Sequence, residues 1–325
     1  MRLPRRKFLH LAAGAAALPA VSRLAKAQAY PTRPVRWIQP MPAGGPSDTL
    51  VRLIAQRLSE RFGQPFVVDN RPGAGGTLGT EAAVRAPADG HTLIGMAPSS
   101  AINATLYEKL NFNVVRDLAP VATISRQPQV MVVSPSFPAK TVPAFIAYAK
   151  ANPTKISMAS FGIGTGQHVA GELFKMMAGI DMVHVPYRGG ASPITDLIAG
   201  QVQVMFTSPF GLIEHIRAST LRALAVTTAT RSEALPDVPP VADFVPGYDV
   251  FSWFGVGAPV STPAGIVDTL NQEINAALAD AGMKARISDM GAAPFVSSPA
   301  DFRRFFADET EKWAKVIKFA GVKPV

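Results

Sequence analysis

Short apolar runs alternate with stretches in which apolar residues recur every three or four positions, and few architectures accept that order over so long a chain. Val35-Arg-Trp-Ile38, Phe66-Val-Val68 and Thr92-Leu-Ile-Gly-Met96 read as strands, and further strands fit Val130–Val133, Ile156–Ala159, Val183–Val185, Val202–Phe206 and Leu221–Val226. Between them Leu50, Leu53, Ile54, Leu58 and Phe62 keep helical spacing, and Leu78–Ala86, Pro143–Ala151, Gln167–Ala178, Ser192–Ala199 and Pro209–Arg217 read as helices. Strand–helix alternation predicts an α/β fold with mixed, mostly parallel sheets covered by helices. Ligands of such sheets sit beyond the carboxyl ends of the strands, where loops feed helix N-termini.

A chain of 325 residues suggests about two domains, and 48% hydrophobic residues are enough for sizeable cores. Arg126-Gln-Pro-Gln129 and the proline-rich stretch from Pro236 to Pro246 punctuate the pattern, and Phe251–Gly257 resembles a strand that passes between lobes. The expected organisation is a first lobe of residues 30–125 plus 252–325 and a second lobe of 126–251. Ser298 to Lys318 reads as a long amphipathic helix through Phe302, Phe305, Phe306, Trp313 and Ile317, its charged face solvated.

The net charge of +9 is mostly an address label. Six of the 32 Lys and Arg residues (Arg2, Arg5, Arg6, Lys7, Arg23 and Lys26) precede residue 30, so 26 face 23 acidic residues and the remainder carries only +3. A basic start, an apolar stretch from Phe8 to Val21 and the small-residue end Ala27-Gln-Ala29 form the layout of a secretory signal over 1–29, cleaved near Ala29. Arg5-Arg6 followed by Lys-Phe-Leu9 looks like a twin-arginine signal, with Pro4 where that pattern usually has Ser or Thr. The expected location is the periplasm, with no membrane span after removal of the leader. Zero cysteines exclude a disulfide scaffold, thiolate-held iron–sulfur clusters and a thiol nucleophile. The small mature charge, without a basic stripe, argues against nucleic acid.

Two glycine-rich loops each join a strand to a helix. Pro40-Met-Pro-Ala-Gly-Gly-Pro-Ser-Asp48 lets the backbone turn sharply at Gly44 and Gly45, with Pro46 suited to a first helical turn and Ser47 and Asp48 able to cap it. Ser160-Phe-Gly-Ile-Gly-Thr-Gly-Gln-His168 offers the same amides plus two hydroxyls. Amides at a helix start attract anions. Neither loop carries Lys or Arg, and neither ends in the Gly-Lys-Ser/Thr of a phosphate-binding P-loop. A small carboxylate held by amides, hydroxyls and water is therefore the expected ligand, with Arg71 and Arg188 available for positive potential. Each loop read alone is equally an ordinary tight turn.

Other motifs fail on spacing. Gly73-Ala-Gly-Gly-Thr-Leu-Gly79 does not match Gly-x-Gly-x-x-Gly, and no Gly-x-Ser-x-Gly elbow exists. His91, His168, His184 and His215 show no metal-binding spacing, although His168 and His184 fall where they could meet, and no metal or other cofactor is expected. Ser160 and His168 form a conceivable nucleophile–base pair without an evident orienting acid. Not an enzyme is the expectation; an exported α/β enzyme acting on a carboxylate is the alternative.

Several long motifs in order make the whole mature chain resemble the periplasmic solute-binding proteins of tripartite tricarboxylate transporters, the Bug or TctC family. They are Pro40–Asp48, Val68-Asp-Asn-Arg-Pro-Gly-Ala-Gly-Gly-Thr-Leu-Gly-Thr-Glu81, Ala88-Asp-Gly-His-Thr-Leu93, Gln167-His-Val-Ala-Gly-Glu-Leu-Phe174, His184-Val-Pro-Tyr-Arg-Gly-Gly190 and Thr195-Asp-Leu-Ile-Ala-Gly-Gln-Val-Gln-Val-Met-Phe206. The resemblance implies a two-lobed Venus-flytrap of the type II periplasmic-binding-protein kind that closes on a small di- or tricarboxylate, acidic amino acid or aromatic acid. It places one carboxyl group on Ala43, Gly44 and Asp48 of the first lobe and on Gly162, Thr165 and His168 of the second, with Asp196 organising bound waters. It assigns the other end of the ligand to Ser99, Asn103 and Tyr187. Phe161-Gly-Ile-Gly164 stands where many relatives have small polar residues, which makes this loop bulkier and less polar. The implied partners are a large and a small membrane transporter subunit, or a sensor protein in their place, and the expected state is a monomer.

Overall fold

The computed structural model describes residues 30–107, 109–187, 192–209 and 211–323; the leader expected over 1–29 and Arg188 lie outside them. Two mixed sheets organise the chain. The first contains β1 (Val35–Gln39), β2 (Phe66–Asn70), β3 (Thr92–Met96), β4 (Leu118–Pro128), β10 (Phe251–Pro259) and β11 (Ala293–Pro294), in the order β11-β4-β10-β3-β1-β2. The second contains β5 (Val130–Val133), β6 (Ser157–Ser160), β7 (Val183–Pro186), β8 (Val204–Thr207) and β9 (Arg222–Val226), in the order β7-β6-β8-β5-β9. The ladders β1/β2, β1/β3, β6/β7 and β6/β8 are parallel, with β1/β2 and β6/β7 each a strand–helix–strand crossover. Those joining β10 to β3 and β4, β11 to β4, and β5 to β8 and β9 are antiparallel. The sheets are thus mixed rather than mostly parallel, because the strands at the passage from one sheet to the other run against their neighbours.

The helices follow the apolar periodicity. Apart from the single turn Val114–Asp117, they are in chain order α1 (Pro46–Phe62), α2 (Thr77–Val84), α3 (Pro98–Leu106), α4 (Val142–Ala151), α5 (Gly166–Ala178), α6 (Ser192–Ile198), α7 (Ile213–Arg217), α8 (Ala264–Ala279), α9 (Ala281–Asp289) and α10 (Pro299–Ala320). In α1 Leu50, Ile54 and Leu58 lie on the buried face, and Gly63 ends the helix in the left-handed conformation at φ +68°. β4 runs straight through the punctuation expected at Arg126–Pro128 and pairs with β10 over its whole length.

The passage between the sheets is stitched by polar backbone contacts. Thr227 Oγ1 accepts from the Gln129 amide at 2.9 Å and lies 3.0 Å from the Gln129 carbonyl and 2.7 Å from that of Val250. The first crossing and both ends of the second are tied at this one hydroxyl. One apolar core continues across the passage, with Met131, Phe145, Phe174 and Phe206 of the second sheet's layers joined to Ile94, Trp253, Phe302 and Phe306. The C-terminal helix α10 seals it: it packs on α3, β4 and α5. Buried Glu309 on α10 accepts from the Trp313 indole at 2.9 Å and from the Trp253 indole at 3.1 Å.

Candidate functional site

Three strand-to-helix turns carry the residues singled out above: β1 to α1, β3 to α3, and β6 to α5. In each, the sheet ends where a helix begins, so first-turn amides without intrahelical partners face the carboxyl edge of the strands. Neither Gly45, which precedes α1, nor Ala97, which precedes α3, makes a side-chain cap.

The first loop is held from within. Asp48 is only 3% exposed, and its Oδ2 accepts from the Gly44 amide and Arg52 Nε, both at 2.9 Å. Its Oδ1 accepts from Asn70 Nδ2 at 2.8 Å, and the same nitrogen reaches the Met41 carbonyl at 3.1 Å. Burial disfavours the charge on Asp48, yet hydrogen bonds from Arg52, Gly44 and Asn70, with the charge of Arg52, hold its pKa below the usual value. Asp48 is therefore a strut that fixes the loop, and the Gly44 amide is spent on it. Ala43 and Gly44 stand exposed at the tip, Gly44 at φ +82°.

On α3, Ser99 is half-buried in the first turn, while Asn103 is 5% exposed and donates to the Gly75 carbonyl at 2.7 Å. Asn103 thereby pins the glycine turn before α2, where Gly75 sits at φ +65°. That turn rests on the first loop: a Cβ at Gly76 would lie 3.2 Å from the Pro40 carbonyl oxygen.

The second loop uses two left-handed glycines, Gly162 at φ +129° and Gly164 at φ +75°. Thr165 caps α5: its Oγ1 accepts from the His168 amide at 3.3 Å and donates to the Gly162 carbonyl at 2.8 Å. His168, 2% exposed, accepts the Gly164 amide on Nδ1 at 3.2 Å, which places its proton on Nε2, 3.8 Å from Glu172 Oε1. Its ring stacks on His184 at 3.7 Å with 17° between the planes. Burial, the neighbouring His184 and Lys175 lower His168 to about 3, and burial and Lys175 lower His184 to about 4, so both imidazoles are neutral at neutral pH. Beside them Tyr187 donates to Asp196 Oδ2 at 2.6 Å and to the Ser160 carbonyl through its amide at 2.9 Å. Burial, and then the hydrogen bond and charge of Asp196, push its phenol up to about 12.

Gly162, Thr165, His168, Tyr187 and Asp196 thus form one cluster, Ala43, Gly44 and Asp48 another, and Ser99 and Asn103 lie on the helix between them. The missing link is apolar: a Cβ at Gly164 would be 2.5 Å from Leu106 Cδ2 and 3.9 Å from Ile102 Cγ2. Ile102 and Leu106 keep helical spacing with Ser99, a signal that was available in the sequence.

The hydroxyl–imidazole pair exists, but Ser160 pairs with His184, not His168: Ser160 Oγ lies 2.7 Å from His184 Nε2. Ser160 is fully buried and its hydroxyl also reaches the Gly162 carbonyl at 3.1 Å. Among the described residues no carboxylate orients His184, so the pair lacks both access and the third member of a nucleophilic triad. Nor do the described residues include three His, Cys, Asp or Glu grouped to hold a metal, or a helix long and apolar enough to cross a membrane. A cavity of about 580 Å³ opens elsewhere, between Arg126, Phe251 and the 228–234 segment.

Comparison with known proteins converges on one group. The family model described as "Tripartite tricarboxylate transporter family receptor" matches residues 50–322. Protein BugT of Bordetella pertussis is 36% identical over 302 residues, which span 91% of this chain and 92% of that protein. The structure of Rpa4515 from R. palustris with adipate superposes with a TM-score of 0.78 at 38% identity, covering 91% of this chain and 100% of that one. MatC (Rpa3494) from Rhodopseudomonas palustris with bound malate gives a TM-score of 0.74 at 29% identity, with coverage of 89% and 100%.

Proposed function

The chain belongs to the tripartite tricarboxylate transporter receptor family, and from that premise we propose that it is a periplasmic receptor which captures a small carboxylate between its two sheets and delivers it to a membrane transporter. One observation carries the reading. Gly164, in a loop of the second sheet, lies against Ile102 and Leu106 on a helix of the first, which brings the helix starts of the two sheets into one neighbourhood.

The chemistry of that neighbourhood suits an acid that is held and not transformed. The α5 start offers backbone amides, and the two histidines behind it, His168 buried and His184 half-buried, are neutral. Backbone amides at a helix start favour an anion without any side-chain cation. No general base or nucleophile is needed for binding, and the family is one of receptors. The adipate and malate held by two structural neighbours are both small dicarboxylates, which supports the same class here.

In this reading the lobes are residues 30–125 with 252–325 and residues 126–251, which is supported by a chain that leaves the first sheet after β4 and returns to it at β10. Ligand selects the closed arrangement because only there do contacts from both lobes meet. The partners are a large and a small transporter subunit that recognise the closed form, the receptor acts as a monomer, and the leader over 1–29 directs export through the twin-arginine route.

A thermal-shift screen of di- and tricarboxylates, acidic amino acids and aromatic acids tests the proposal. An acid present at one hundred times its dissociation constant stabilises the fold by about 2.7 kcal/mol. A panel without a single shift, together with turnover of an ester or amide, would overturn it in favour of an exported enzyme.

A further inference from the structure

We infer that Gln129 contacts the ligand, its carboxamide donating to a carboxylate oxygen at the start of α5; the inference rests on the receptor reading above. Gln129 lies where the chain passes from β4 to β5, and its backbone is saturated. Its amide donates to Thr227 Oγ1 at 2.9 Å and its carbonyl accepts from the Thr227 amide at 2.9 Å. A residue fixed this firmly has only its side chain left to act.

That side chain is 1% exposed and poorly satisfied. Nε2 reaches Ser252 Oγ at a long 3.3 Å, and Oε1 is buried without any partner. Buried polar side-chain atoms nearly always find one. The carboxamide abuts the first residue of α5, since a Cβ at Gly166 would lie 3.4 Å from Nε2. Glycine at this position leaves the carboxamide room beside the helix start. Thr165 caps only the His168 amide, so the first amides of this 13-residue helix remain open beside a spare polar group.

A carboxamide nitrogen carries two hydrogens, and Ser252 takes only one of those on Gln129 Nε2. The atom that lies beside Gly166 therefore keeps a second N–H for a ligand without any rotation of the side chain. A ligand carboxylate at the α5 start then receives the helix amides and the Gln129 donor together. Because Gln129 and Ser252 stand on two different crossing segments, the same contact ties the bound acid to the passage between the sheets.

The test compares Gln129→Met and Gln129→Glu with the unaltered protein. Adipate, malate, succinate, glutamate and benzoate are titrated calorimetrically, and melting is followed without ligand. The expected result for Gln129→Met is an affinity loss of at least tenfold, about 1.4 kcal/mol, with the ligand-free melting temperature unchanged or raised, because an orphaned buried carbonyl has been removed. Gln129→Glu sets a carboxylate against the ligand's own and abolishes binding. Met-variant binding equal to the unaltered protein overturns the inference. So does an affinity loss that merely tracks a loss of folding, or failure of the near-isosteric Met variant to fold, since either marks a purely structural role. Absence of binding by the unaltered protein overturns the receptor reading itself, whereas normal binding by the Met variant overturns only the role of Gln129.

Discussion

The stacked histidines behind the second loop make acid stability a quantitative test of the site's electrostatics. Folding lowers His168 from 6.5 to about 3 and His184 from 6.5 to about 4. A group with a lowered folded pKa binds fewer protons when folded than when unfolded. The stability it contributes is therefore complete above about pH 6.5 and is lost as the pH falls from there toward the folded values. Each histidine loses up to about 1.4 kcal/mol per pH unit in that window. From pH 7 to pH 5 this amounts to about 2 kcal/mol per histidine and about 4 kcal/mol for the pair. His184→Gln keeps a hydrogen-bonding group for Ser160 and does not titrate. Urea unfolding at pH 7, 6 and 5 should show the variant losing about 2 kcal/mol less than the unaltered protein over this range. Carboxylates shared by both proteins cancel in that difference. Equal losses would refute the reasoning, since they would mean that His184 accepts its proton in the folded state and that the second loop is not a neutral cup.

Four further outcomes follow from the same geometry. Asp48→Ala removes a buried charged acceptor from the Gly44 amide and Asn70; two such bonds are worth about 3 kcal/mol in urea unfolding, and half-exposed Arg52 adds little. An unchanged midpoint would show that the first loop does not need this strut. Gly164→Val drives a side chain into Leu106 from a backbone at φ +75° and should weaken acid binding at least tenfold, about 1.4 kcal/mol, as read by calorimetry. Gly44→Val, at φ +82° with nothing within 4 Å of its Cβ, strains the turn without a clash and should cost about 1–3 kcal/mol of stability in urea unfolding. Tyr187→Phe deletes the 2.6 Å bond to Asp196 and should lower stability by about 1 kcal/mol; a rise in stability would mean that the pair is strained.

Most strands and helices from Val35 to Val226 were legible because half-buried helices and short buried strands leave periodic marks, but the helix Pro98–Leu106 was not among those read. β4 was not, since Leu118 to Ser125 are buried without alternation and its polar end at Arg126-Gln127 resembles a linker. The α8–α9 pair carried a readable stripe through Val267, Leu270 and Ile274 that the reading passed over. Of the site, the glycine loops were visible as turns between strand and helix, but the fate of the Gly44 amide was not. That fate depends on Asp48, and Asp48 on Asn70, 22 residues away in the next strand. His184 sits at modest exposure on an edge strand, so only the parallel register of β6 and β7, which sets Met158 opposite His184, brings it beneath Ser160 and His168.

Calorimetric titration of the leader-free protein with small organic acids, each paired with its uncharged amide, tests the central claim most directly. The account predicts that at least one acid binds at a single site and that replacing its carboxylate by an amide costs at least a hundredfold in affinity, about 2.8 kcal/mol. Binding of acid and amide with equal strength, or of neither, would contradict it.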